Sequence, residues 1–232
     1  MPNNASGDDV AAEAPPSWRE LAVARSLDSA RTRAENRVQR FLDAALELMD
    51  SGDSKEFTVQ EVVERSGQSL RSFYQYFGGK HELLLALFEE SVRSTAGVLR
   101  DKVDEETDPL DRLHRFVVEY YRMCSPAPKG KSKKASPPPL MVEFAQQLLT
   151  AHPAEAARAF VPLVSLFEEI VKAAAEAGAI KGDLPHRAVV GTMLAVIMFN
   201  SFSATIAATP VQDATSAAEE LWAVVLNGIA TR

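Results

Sequence analysis

The sequence predicts an all-α chain, and three observations predict it. Apolar residues recur at steps of three and four through most of the 232 residues, capping residues stand ahead of several such runs, and glycine or proline punctuates them. With 46% hydrophobic and 25% charged residues, the chain suffices for one compact unit or two small helical domains.

The first sixteen residues, MPNNASGDDVAAEAPP, have neither a basic start nor an apolar centre, so they are read as neither signal peptide nor membrane span, and disorder is expected. Ser17, with Glu20 three positions on, makes a capping box for a helix through Trp18, Leu21, Ala24 and Arg25. Residues 1–29 are therefore expected as a disordered or arm-like extension, which either lengthens the first helix or swings as an arginine-bearing arm.

The stretch TVQEVVERSGQSLRSFYQYF, Thr58 to Phe77, reads as two short helices joined at Gly67. Thr58 and Glu61 have capping-box spacing, and Val59, Val62 and Val63 share one face. β-Branched residues are mediocre helix formers, so burial of that face is expected to hold the segment. Glycine at position 67 permits the left-handed backbone of a tight turn, and Ser69 caps the second helix.

Steps of about 100° per residue place Leu70, Phe73 and Phe77 together and point Arg71, Ser72 and Gln75 the opposite way. Arginine can grip the O6 and N7 of guanine, glutamine can do the same with adenine, and serine permits close backbone approach. Tyr74 and Tyr76 flank this face where phosphates would lie, and Lys80 adds a positive charge at the start of the next helix. This is the layout of a DNA-reading helix-turn-helix.

From Lys80 an apolar stripe through Leu84, Leu87, Phe88, Val92, Thr95 and Leu99 predicts a helix to about Val103. Asp108-Pro109 opens the next, through Leu113, Phe116, Val117, Tyr120 and Tyr121. Residues 125–139, SPAPKGKSKKASPPP, are too rich in proline, lysine and serine to build a core and are expected as an exposed loop. Helices follow over about 139–152, 153–178, 186–208 and 213–230.

The 186–208 helix is apolar most of the way round, which requires burial on several sides. One face is expected to pack within its own subunit and another to meet a partner, through Val190, Leu194, Ile197 and Phe202, joined by Leu221, Trp222, Val225 and Ile229 of the last helix. Asn200 and the serines within it, and Glu219 and Glu220 beside it, argue against a membrane role.

A formal net charge of −7 is unexpected for a nucleic-acid binder, but it is unevenly spread. Between Arg19 and Arg40, six arginines face three acidic residues, leaving a basic segment on an acidic chain. Cys124 is the single cysteine, which excludes an internal disulfide; His81, His114, His152 and His186 are too widely spaced to form a sequence-local metal motif, and no metal or cofactor is expected. There is no nucleophile motif, phosphate-cradling glycine loop or carboxylate–histidine cluster, so no catalytic residue is assigned.

The order Gly67, Phe73, Tyr74, Tyr76, Phe77, Lys80, Leu83, Leu84 resembles the signature of the TetR family of bacterial regulators, roughly G-x5-[LIF]-Y-x-[YH]-F-x2-K-x2-L-[LI]. The resemblance covers about residues 38–88. It implies a three-helix DNA-binding domain over 30–82, with the motif at 58–77, and a larger ligand-binding and dimerisation domain over 83–232. In it, residues 33–50 form the first helix, with Phe41, Leu42, Ala45, Leu46 and Leu48 as the apolar side.

Carried over by position, Thr58 looks like a phosphate-contacting cap, Ser69, Arg71, Ser72 and Gln75 like the base-proximal set, and Tyr74, Tyr76 and Lys80 like backbone clamps. Two positions depart from the family. Gln68 stands where an apolar residue is usual, and Leu70 replaces a polar reader and either touches a thymine methyl or packs.

The resemblance further implies a cytoplasmic homodimer on a palindromic double-stranded operator, released by a small-molecule effector. Phe88, Val92, Phe116, Tyr120, Met123, Met141, Phe144, Phe160, Val164 and Phe167 fall on the helices that surround the family's pocket, and their character suits a lipophilic ligand. Two alternatives stay open: a binding module without an effector, and an activator on the same fold.

Overall fold

Prolines, glycines and capping side chains set the helix boundaries. A computed structural model describes residues 17–50, 57–125, 139–206 and 213–229. These form α1 (Trp18–Asp50), α2 (Val59–Ser66), α3 (Leu70–Tyr76), α4 (Lys80–Val103), α5 (Pro109–Cys124), α6 (Pro139–Ala151), α7 (Pro153–Ala159), α8 (Val161–Glu176), α9 (His186–Ile206) and α10 (Ala214–Ile229). The fold is all-α, as the sequence predicts. The expected disorder of residues 1–16 and the lysine-rich part of the 125–139 loop lie outside the described residues.

Of the two expectations for residues 18–29, the structure has the extension of the first helix. Residues 18–29 run as helix straight into 30–50, within one α1 of 33 residues. The arginines at 19, 25, 31, 33, 37 and 40 are all exposed along it. α1 turns Phe41, Leu42, Ala44, Ala45 and Met49 inward, whereas Leu46, expected on that side, is 41% exposed.

α2 closes as a glycine-terminated helix should. Gly67 has φ 65° and ψ 26°, and the amides of Gly67 and Gln68 donate to the carbonyls of Glu64 and Val63 at 3.2 Å each. A Cβ on Gly67 would meet nothing within 4 Å. Gly67→Ala is therefore expected to cost the left-handed backbone penalty alone, about 1–2 kcal/mol. Urea unfolding measures it; an unchanged midpoint would mean that the turn needs no left-handed residue.

One expected helix is two. Residues 153–178 break at Phe160, whose φ of −81° and ψ of −7° close α7 and open α8. Pro162 causes the break: it has no N–H to donate, and in a continuous helix its ring would meet the carbonyl of Arg158. In the first turn of α8 both problems vanish. At the other end Gly178, with φ 72°, lets the amide of Ala179 reach the Ala174 carbonyl at 2.9 Å.

The helix-turn-helix unit of α1 to α3, the head of the chain, has an aromatic centre. Phe73 is fully buried and meets Phe41 edge-on at 5.4 Å and Phe77 at 5.4 Å, while Phe41 meets Phe77 edge-on at 6.1 Å. The body is built around α5 and α8, whose Phe116 and Phe167 stack at 4.1 Å. α9 packs on α8 and α5, α10 on α5, and α4 touches both the head and the body.

Glu119, 5% exposed, is compensated by Lys102 Nζ at 3.2 Å and Arg122 Nη1 at 3.1 Å. Among the described residues, no helix is long and apolar enough to cross a membrane.

Candidate nucleic-acid interface

The capping box predicted at Thr58 forms in full. Its Oγ1 accepts from the Glu61 amide at 3.2 Å, and its own amide and hydroxyl donate to Glu61 Oε2 at 2.7 and 2.8 Å. The backbone hydrogen bond, then the hydroxyl, hold the Glu61 carboxyl below its ordinary pKa. Both Thr58 donors thus serve Glu61, and a phosphate at this point has to displace a carboxylate.

Exposure divides α3 more cleanly than the sequence reading did. From Leu70, steps of about 100° put Tyr74 near 40°, Arg71 near 100° and Gln75 near 140°, with Ser72, Tyr76, Phe73 and Phe77 on the remaining arc. The structure follows this division. Leu70, Arg71, Tyr74 and Gln75 are exposed, Ser72 and Tyr76 are half-buried, and Phe73 and Phe77 are buried. Ser69 is exposed too, and its hydroxyl caps α3 by accepting from the Ser72 amide at 3.1 Å.

Two expectations are corrected here. Leu70, grouped above with the packing residues, is 43% exposed, because at the first position of α3 it stands outside the Phe41–Phe73–Phe77 cluster. Ser72 moves the other way. Its hydroxyl is enclosed without a hydrogen-bond partner, so it faces the protein and not the reading surface.

The clamps differ among themselves. Tyr74 is 57% exposed with its ring set edge-on to Phe73 at 5.4 Å, whereas Tyr76 packs against the core. Lys80 holds its ammonium 4.7 Å from the centre of the Phe57 ring, a cation–π contact that fixes it beside α2. Gln68, unusual for its position, donates to the Arg37 carbonyl at 3.2 Å and so ties the turn to α1 by a polar bond.

Glu82 was not singled out in the sequence. Its carboxylate accepts from the Gly78 amide at 2.7 Å and fixes the link between α3 and α4; the signal was a glutamate four residues after a glycine at a helix start.

The residues expected to surround a ligand are gathered in the body but closed on one another. Phe88 meets Phe160 at 5.3 Å and Phe144 at 6.4 Å, both edge-on. Val92, Phe116, Met141 and Phe167 are buried in the same core, with Met123 and Val164 half-buried against it. Tyr120 is buried with its hydroxyl on Cys124; burial raises the tyrosine well above its ordinary pKa and pushes the thiol up to about 12.

An open cleft of about 300 Å³ lies where α4 meets α6, lined by Lys80, His81, Leu84, Leu140, Glu143, Gln147 and Phe144, the last one of the residues expected around a ligand. The histidines, distant in sequence, are not all distant in space: His81 and His152 lie with ring centres 4.8 Å apart.

The proposed partner-facing residues are mostly turned inward. Val190, Leu194 and Ile197 are buried in the subunit's own core, Trp222 is 9% exposed beside His114, and Leu221, Val225 and Ile229 are half-buried. The Phe202 side chain lies outside the described residues. Among the described residues, Phe199 and Val224, each more than 70% exposed, and Val196 at 38% are the large apolar residues that α9 and α10 turn outward. A period of 3.6 gives each helix two apolar faces, and sequence alone did not say which one the neighbouring α5 and α8 would take.

The profile of bacterial regulatory proteins of the tetR family matches residues 41–87, from mid-α1 into α4. The HTH-type transcriptional regulator BetI of Brucella canis is 26% identical over 81 residues, which is 35% of this chain but 41% of that relative's length.

Among solved structures, the fatty acid degradation regulator FadR of Bacillus halodurans is similar with a TM-score of 0.64 and 17% identity, over 82% of this chain and 94% of that one. Thermus thermophilus FadR, a TetR-family repressor in complex with lauroyl-CoA, gives 0.63 and 22% over 84% and 96%. Bacillus subtilis FadR, in complex with stearoyl-CoA, gives 0.64 and 14% over 82% and 98%. Residues 41–87 thus match the profile of the tetR family of bacterial regulatory proteins, and the chain is similar in fold to these FadR structures over 82–84% of its length.

Proposed function

We propose that this protein is a dimeric transcriptional repressor that binds a palindromic DNA operator and is released by a small lipophilic ligand. The observation that carries the DNA-binding part is the solvent arc of α3, where Leu70, Arg71, Tyr74 and Gln75 stand exposed on a helix locked from behind by Phe73 and Phe77. Arg71 has no ion-pair partner among the described residues and is the reader of a guanine; Gln75 is the reader of an adenine, and Leu70 meets a thymine methyl. Tyr74 and Lys80 grip phosphates, and Thr58 and Ser69 hold the two helix starts in place. The exposed arginines of α1 add a positive surface beside them.

Dimerisation through α9 and α10 uses their outward apolar residues, Val196 and Phe199 on α9 and Val224 on α10. Two heads on a twofold axis then meet half-sites about 34–36 Å apart, or a multiple of a turn.

The operator is obtained by selecting genomic fragments bound by the purified protein. On it, Arg71→Ala is expected to relax preference at one base position, at a cost of about 1–3 kcal/mol there. Lys80→Ala is expected to weaken all sequences alike and to lower the salt slope by roughly one. Equal losses on operator and random DNA for Arg71→Ala would remove its base-reading role.

One observation favours a regulator without an effector: the body's aromatic residues pack on one another, as Phe116 does on Phe167. Lauroyl-CoA and stearoyl-CoA, bound by two of the fold neighbours, are suitable first probes. A ligand acts only by binding the DNA-incompetent form better. Weakening of operator binding by either supports the effector reading; indifference to these and to other lipophilic compounds supports the effector-free one.

A further inference from the structure

The junction of reading head and body holds a donor cluster that DNA binding does not use. His81 is the second residue of α4, and His152 and Glu155 stand three apart at the start of α7, a spacing that brings both to one side. One donor atom from each of the three residues lies within 4.8 Å of the other two. His81 Nε2 is 2.8 Å from Glu155 Oε2, and His152 Nδ1 is 4.0 Å from Glu155 Oε1. All three residues are half-buried, and His81 opens on the α4–α6 cleft beside Glu143.

An ordinary surface pair looks different, and the same chain supplies one. His114 Nε2 lies 2.8 Å from Glu219 Oε2 with an indole beside it and no second imidazole. At the junction the His81–Glu155 hydrogen bond is complete without His152, yet a second imidazole is brought in at 4.8 Å with its Nδ1 toward the same carboxylate. Two imidazoles and one carboxylate are the donor set of a borderline divalent ion, and zinc with bonds of about 2.0–2.2 Å needs its donors roughly 3.3 Å apart. Small side-chain rotations supply that contraction.

We propose that His81, His152 and Glu155 bind one zinc-type divalent ion, with water completing the shell. The proton shared by His81 and Glu155 leaves as the metal binds. The ion staples the first turn of α4 to the start of α7. If the DNA-binding reading above holds, occupancy also changes operator affinity, because α4 carries the head.

The site is tested without DNA, so that its outcome is independent of that reading. Metal-stripped full-length protein is titrated with zinc against a chromophoric chelator, and with cobalt(II) to record its visible absorption. One equivalent per chain is expected. His152→Ala and Glu155→Gln should each lower the affinity roughly tenfold or more, and His81→Ala should abolish the cobalt spectrum, with far-ultraviolet circular dichroism of the metal-free variants unchanged. His114→Ala should bind as the unmodified chain does. Absence of stoichiometric uptake, or uptake indifferent to His152→Ala, overturns the site.

Discussion

Phe73→Ala is expected to abolish operator binding by unfolding the reading head while the body stays folded. Phe73 is fully buried, and the rings of Phe41, Phe77 and Tyr74 each have their centre 5.4 Å from its own. Truncating such a residue costs about 3–5 kcal/mol, and each lost aromatic pair belongs within that sum. Domains are stable by only about 5–15 kcal/mol, and the head is a small part of this one.

The loss is local because the body has its own centre at Phe116 and Phe167. Amide hydrogen exchange checks it: protection should fall across α2 and α3 and persist in α5 and α8. Operator affinity close to that of the unmodified chain would show that the aromatic cluster does not hold α3 in its reading position.

In the proposed dimer through α9 and α10, Phe199→Glu is expected to divide the pair and weaken operator binding by about 10²–10⁴-fold, the advantage that two linked heads have over one. Phe199 is 71% exposed on α9, so a glutamate costs the isolated subunit little; buried against a second copy, it leaves an unpaired charge in an apolar interface. Sedimentation velocity should report a monomer with unchanged helical content. Val190→Ala is the contrasting variant: 1% exposed inside the subunit, it should lower stability and leave association intact. A Phe199→Glu protein that remains a dimer would place the interface elsewhere.

Local chemistry was the most legible part of the chain. The Thr58–Glu61 box, the Gly67 turn, the Ser69 cap and the Asp108-Pro109 start depend on a few neighbouring residues, and each is present as read. What failed was assignment of faces. Leu70, Leu46 and Val190 are all apolar and all sit at helical spacing, yet two are exposed and one is buried. Periodicity reports that a helix has an apolar side; which side is covered depends on the helices packed against it.

The break at Phe160 was readable and missed, because an apolar run concealed Pro162. The meeting of His81 with His152 was not readable at all: 71 residues separate them, and only the placement of α7 against the start of α4 joins them.

α4 is a single helix of 24 residues, with its first turn in contact with the head and one face of its remainder packed on the body. At 1.5 Å per residue it is about 36 Å long, and a tilt of about 5° about its far end carries the near end through about 3 Å. That displacement is close to one base-pair step, about 3.4 Å. In a symmetric pair both heads swing, so the mismatch with a fixed operator doubles. On the proposed function, the length of one uninterrupted rod supplies geometric amplification, so that a side-chain-sized change deep in the body misaligns both heads.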